Sequence, residues 1–131
     1  MITSTDFANI VYLKAKKLGI AEVYQDSVTD ISEIKTPRVV VHPKMLSGNG
    51  RIWCEGYVEV NICIPDKNGK AQLQSLNRYE RTAKELFTMF GTYDSTPYRI
   101  KMESFQVIGD KSLNYHFANV RLSTEVLNIK Q

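Results

Sequence analysis

Two cysteines, two histidines and one tryptophan are all that this chain offers of the residue types most often tied to metal, redox or stacking chemistry. Cys54 and Cys63 are an odd number of positions apart. On one strand their side chains would point to opposite faces, about 30 Å apart along the chain, whereas a disulfide needs alpha carbons within about 7 Å. With no CxxC pair, both read as reduced thiols, consistent with a reducing compartment. His42 and His116 lack the cysteine or carboxylate spacing of a zinc site. "SGNG" and "NGK" are too short for a phosphate-cradling loop, which needs a longer glycine-flanked segment followed by Lys and Ser or Thr. The start "MITSTDFANIVYLKAKK" lacks the basic-then-apolar order of a secretory signal, and no apolar run reaches the roughly 18 residues of a spanning helix. An intracellular chain without membrane contact is expected. Net charge is also small: 17 basic and 14 acidic side chains leave +3, so nucleic-acid contact is permitted but not indicated.

What is present suits a folded chain. With 131 residues, 43% hydrophobic and 24% charged, residues 1–131 are expected to form a single domain with one continuous core. The clearest element is "RIWCEGYVEVNICIP", residues 51 to 65. Its period of two puts Cys54, Gly56, Val58, Val60, Ile62 and Ile64 on one face. Trp53, Glu55, Tyr57, Glu59, Asn61 and Cys63 take the other. The first face is core; the second, carboxylates with aromatics, is either solvated or set against a neighbouring subunit. Pro65, lacking an N–H, ends the strand.

The remaining chain divides by similar cues. Thr5 to Leu18 carries Phe7, Ile10, Val11 and Leu18 on a helical stripe, with Ser4 or Thr5 as cap and Gly19 as a left-handed stop. "AEVYQDSV" indicates a short strand. "TPRVVVHP" indicates another, confined between Pro37 and Pro43. "KMLSGNGRI" reads as a mobile hairpin loop, on which Met45 and Leu46 are either packed back on the sheet or offered to a partner. A principal helix of about five turns is expected from Ala71 to Phe90, with Leu73, Leu76, Tyr79, Ala83, Leu86, Phe87 and Phe90 on its apolar stripe and Gly91 ending it. Residues 98 to 108 alternate but change parity near Ser104, a bulge or a switch of face. "GDKS" is a turn, and Tyr115 to Val126 is the last strand. The expected architecture is α+β in two layers, an antiparallel sheet against one long helix plus an N-terminal helix.

Catalytic groups do not converge in this pattern. His116 falls on an apolar strand face, the position of a hydrogen-bonded structural histidine rather than a general base. Glu55 and Glu59 are about 13 Å apart along one strand, too far for a glycosidase pair. A hydrolase would need His116 gathered with an acid and a nucleophile. Arg78, Arg81 and Lys84 with Trp53 and Tyr57 could form a basic groove with stacking platforms, but Glu80, Glu85, Glu55 and Glu59 interrupt it. Solvated faces account for these charges better.

Several local features together resemble the small tail-completion or tail-terminator proteins of long-tailed bacteriophages and prophages. They are an N-terminal helix ending "KKLG", the strand "TPRVVV" and the loop "SGNGRIW". The strand "CEGYVEVNICIP" then feeds the helix "AQLQSLNRYERTAKELF", before the paired strands "ESFQVIG" and "NYHFANVRLSTEVL". The resemblance covers most of the chain. It implies a non-enzymatic structural subunit without cofactor, assembling as a homo-oligomeric, often hexameric, ring at the head-proximal end of the tail tube. Its partners would be further copies of itself, the tail-tube protein and head-completion proteins; its location would be the host cytoplasm during assembly and then the virion tail. A head-to-tail ring needs two different complementary patches per subunit. The candidates are the face of Trp53, Glu55, Tyr57 and Glu59, and the loop carrying Met45, Leu46 and Asn49. The alternatives are a head–tail connector (neck) subunit and a small nucleic-acid- or ligand-binding α+β module.

Overall fold

The computed structural model describes residues 2–25, 36–47, 53–110 and 114–127. The first helix, α1 (Ser4–Ala15), is capped by Thr3, one residue earlier than the sequence pattern indicates. Thr3 Oγ1 accepts from the Asp6 amide at 3.1 Å and Asp6 Oδ2 accepts from the Thr3 amide at 2.9 Å. This reciprocal pair satisfies two donors at once, which neither Ser4 nor Thr5 would do. Asp6 Oδ1 also accepts from the Tyr93 hydroxyl at 3.1 Å, tying the helix start to a distant strand. Phe7, Ala8, Val11 and Ala15 are buried on one side of α1. A 3₁₀ turn, Lys16–Leu18, follows, and Gly19 at φ 85° closes it in the left-handed region, as expected.

Six strands form one sheet: β1 (Glu22–Gln25), β2 (Arg38–Ser47), β3 (Trp53–Pro65), β4 (Met89–Tyr93), β5 (Thr96–Asp110) and β6 (Tyr115–Leu127). Their order across the sheet is β1-β2-β3-β6-β5-β4. At the centre β3 and β6 pair antiparallel without a break, from Trp53 opposite Leu127 to Pro65 opposite Tyr115. Val58, Val60, Ile62 and Ile64 therefore share a buried face with Ala118, Val120, Leu122, Thr124 and Val126. α1 packs on this face over β1, β2 and β3, while the second helix, α2 (Leu73–Leu86), meets β5 and the 3₁₀ turn.

The structure corrects three further expectations. The sheet is not wholly antiparallel, because β1 runs parallel to β2; a parallel neighbour needs a long crossover, and positions 26 to 37 are long enough to provide one. β2 does not stop at Pro43 but continues to Ser47, so Met45 and Leu46 belong to a strand and not to a loop. Among the described residues β1 pairs with β2 only as far as Val41, and Pro43 lies beyond that ladder, where a proline's missing N–H is tolerated. A bulge between Pro43 and Met45 then restores the phase and packs Leu46 against the core. The expected loop tip, Gly48 to Gly50, and the second half of the "GDKS" turn lie outside the described residues. In β5 the parity change is a bulge between Met102 and Ser104, which keeps Phe105 on the core side opposite Val120.

The third correction concerns the helices. α2 is 14 residues and α1 is 12, so no single long helix dominates. The chain leaves the helical path at Phe87, which is fully buried, and Met89–Tyr93 pairs with β5 instead. Leu73 and Phe90, expected on the apolar stripe, are 69% and 79% exposed. The helix stop is consequently not Gly91. That residue sits within β4 beneath Tyr98, whose ring would overlap a Cβ there and which meets Phe7 edge-on at 5.7 Å. Finally, the turn-rich "GTYDSTP" contains a tight hairpin: Asp94 and Ser95 are both left-handed, at φ 46° and 65°, matching the twist of the strands they join.

Two predictions follow from this core. Thr124 is 1% exposed and its hydroxyl has no hydrogen-bond partner among the described residues; Thr124→Val, nearly the same shape, should raise unfolding free energy by about 1 kcal/mol in urea titrations. The Thr3 amide, ahead of the hydroxyls of Thr3 and Tyr93, holds the Asp6 carboxyl below its ordinary value against a smaller opposing effect of burial. That stabilisation is complete above the usual Asp range and lost as pH falls through the lowered value. Asp6→Ala should cost about 1 kcal/mol at neutral pH, the size of a lost cap. The difference from wild type should fade in acid titrations.

Candidate interaction surface

The sheet face turned away from the helices is set by the same register. Across it, His42 lies opposite Glu59, Glu59 opposite Arg121, and Arg121 opposite Ser104. One row along, Val40, Asn61, Asn119 and Gln106 align. Three of the acidic and aromatic residues expected here are on this face. Tyr57 lies under the Arg121 guanidinium, 3.7 Å from its ring centre. Glu59 receives Lys44 Nζ at 3.8 Å and Asn119 Nδ2 at 3.4 Å. Glu55 is exposed, opposite Ser47 and Glu125. Of the other expected patch, Met45 lies opposite Tyr57 in the ladder between β2 and β3. Leu46 packs against the core from the opposite face, and Asn49 lies outside the described residues, as do the side chains of Met45 and Trp53, whose backbones occupy β2 and β3.

Basic side chains make this face mixed rather than acidic. Arg121 Nε also stands 3.5 Å from Glu103 Oε2, Arg99 pairs with Glu125, and Asn119 Nδ2 donates to Asn61 Oδ1 at 2.8 Å. These partners come from β2, β5 and β6, so the pattern of residues 51–65 could not reveal them. Period two in Tyr115 to Val126, continued to the polar parity, is the signal that would have indicated Asn119 and Arg121.

Two titratable groups among the described residues have distinct settings. Cys63 is a buried free thiol, 8% exposed, opposite Arg38. His116 Nδ1 is 2.6 Å from Asp66 Oδ1, with Asp66 nearly enclosed and its amide donating to the Asn114 carbonyl at 2.8 Å. His116 is thus hydrogen-bonded from its strand position. Among the described residues no group of three His, Cys, Asp or Glu side chains is placed to hold a metal, and no helix is long and apolar enough to cross a membrane. An open groove of about 420 Å³ runs beside Gly19, Glu22, Thr36, Pro37 and Tyr79. Another, about 440 Å³, lies between Lys67, Lys70 and the start of α2.

Sequence reasoning missed the exposed apolar residues on strands. Phe90 projects from β4, and Val107 and Ile108 are 43% and 38% exposed near the far end of β5. Phe90 was hidden because its spacing from Ala83, Leu86 and Phe87 also fits a helix.

No protein-family model matches the chain, and no curated protein matches it. A solved structure is similar over 98% of this chain and 96% of that one, at 16% identity and a TM-score of 0.51. At that identity the likeness concerns the fold alone.

Burial pushes the Cys63 thiol up to about 11 from 9.0, opposed by Arg38. In a Cys54→Ser background, Cys63 should resist iodoacetamide at neutral pH when native and react promptly in denaturant. Because the folded value is the higher, its contribution to stability is complete below the ordinary thiol range and declines as pH climbs from there toward about 11.

Proposed function

We propose that this chain is a structural subunit of a phage or prophage virion, a tail-terminator or tail-completion protein. It works by forming a homo-oligomeric, hexameric ring at the head-proximal end of the tail tube, where it meets tail-tube and head-completion proteins. The element order behind the sequence resemblance supports this reading: an N-terminal helix, a long central strand leading into a helix, and a closing strand pair. One observation carries it. Among the described residues the sheet is open, with two unlike outer strands, and β4 exposes Phe90 at 79% on a strand without charged residues. Monomeric proteins guard sheet edges with charge, proline or a covering segment, and a large aromatic left in water on such an edge favours association. Two different edges on one subunit are what a head-to-tail contact requires if it is to close into a ring.

The work of such a subunit is geometric. It needs no reacting group, only complementary surfaces and a scaffold stiff enough to fix the angle between neighbours. The measurement that tests this is sedimentation or mass photometry of the purified chain at micromolar concentration, with and without tail-tube protein. Discrete multimers, or multimers formed on the tube, are expected. A strict monomer under both conditions would reject the ring.

A further inference from the structure

Among the described residues, the two outer strands of the sheet match each other. β4 reads Met89, Phe90, Gly91, Thr92, Tyr93, without charge or proline, so nothing on it opposes pairing with another strand. Phe90 lies opposite Arg99 and Arg99 opposite Glu125, which places it on the face away from the helices. At the other end of the sheet, Tyr24 in β1 lies opposite Val40, Val40 opposite Asn61, and Asn61 opposite Asn119. Asn119 and Glu125 have the same parity in β6, so Phe90 and Tyr24 stand on one face at opposite ends of the sheet. Tyr24 is 36% exposed, with the Arg38 guanidinium 5.6 Å from its ring. Direction matches as well. β1 is parallel to β2, and β3, β6, β5 and β4 alternate from there, so β1 and β4 run the same way.

We propose that β4 of one subunit adds to β1 of a second copy, in parallel, continuing the sheet from subunit to subunit with Phe90 seated against Tyr24 of the neighbour. The inference rests on the ring reading and names the contact that builds it. Strands of five and four residues are close enough in length to pair along their whole extent. Backbone hydrogen bonds supply the adhesion, and the aromatic pair across the new strand boundary sets the register. Because the two edges differ, the contact is head to tail. A two-fold β4-to-β4 contact would leave Tyr24 in water and would end at a dimer.

Phe90→Lys and Tyr24→Lys test this separately and together. Both sites are exposed, and circular dichroism and thermal melting should match wild type. Wild type should form multimers at micromolar concentration and each variant alone should be monomeric. An equimolar mixture should give dimers, since an intact β4 on the Tyr24→Lys chain can still join an intact β1 on the Phe90→Lys chain. Wild-type multimers from either variant would overturn the edge contact while leaving the ring itself standing. So would dimers from Tyr24→Lys alone, the mark of β4-to-β4 pairing, or a mixture that stays monomeric. A wild type that stays monomeric both alone and with tail-tube protein would remove both the contact and the ring.

Discussion

Everything in this molecule is referred to the ladder between β3 and β6. It runs unbroken from Trp53 and Leu127 to Pro65 and Tyr115, and a slip of one residue would exchange Val58, Val60, Ile62 and Ile64 for Tyr57, Glu59, Asn61 and Cys63 on the helix side. That exchange would bury a carboxylate and expose four branched apolar side chains, so the register is strongly specified. The flanking strands conform to it. β2 and β5 each carry one extra residue, between Pro43 and Met45 and between Met102 and Ser104. Each bulge brings later apolar residues, Leu46 in one case and Phe105 in the other, back to the core side.

The junction after α2 shows how the sheet competes with helical propensity. Ala83, Leu86, Phe87 and Phe90 would fit one continuous stripe. Instead, Phe87 closes the helix and fills the core, with its amide bonded to the Ala83 carbonyl at 2.9 Å, and the chain turns to run along β5. Continuing the helix would leave β5 without an outer neighbour and forgo the ladder from Met89 to Tyr93. The cost of this choice is an aromatic side chain in water. In the ring we propose, that side chain is the point of contact, so the feature that weakens the isolated subunit is the one that joins it to the next.

On the face opposite the helices, opposite charges meet in pairs: Lys44 with Glu59, Arg99 with Glu125, Arg121 with Glu103 and over Tyr57. Pairs this exposed contribute at most about 1 kcal/mol each, and their greater effect is to leave no field of one sign. A sheet face neutralised in this way interleaves both signs, in keeping with the small net charge of the whole chain. It also means that association would depend on edges and isolated apolar side chains rather than on this broad surface.

Period and punctuation in the sequence determined the α+β class, the extents of β3 and β6, the N-terminal helix with its glycine stop and the change of parity near Ser104. Each depends on contacts between residues close in the chain or on strict alternation, and alternation survives any arrangement of neighbours. Tertiary structure alone decided that β1 is parallel, that β2 passes through Pro43, that α2 yields to β4, and which cations cross to Glu59 and Glu125. Those outcomes depend on which strand lies beside which. A proline is tolerated only where β1 has ended, an apolar run becomes a strand only where β5 has an open side, and a carboxylate finds its partner only once the register between strands far apart in sequence has been set.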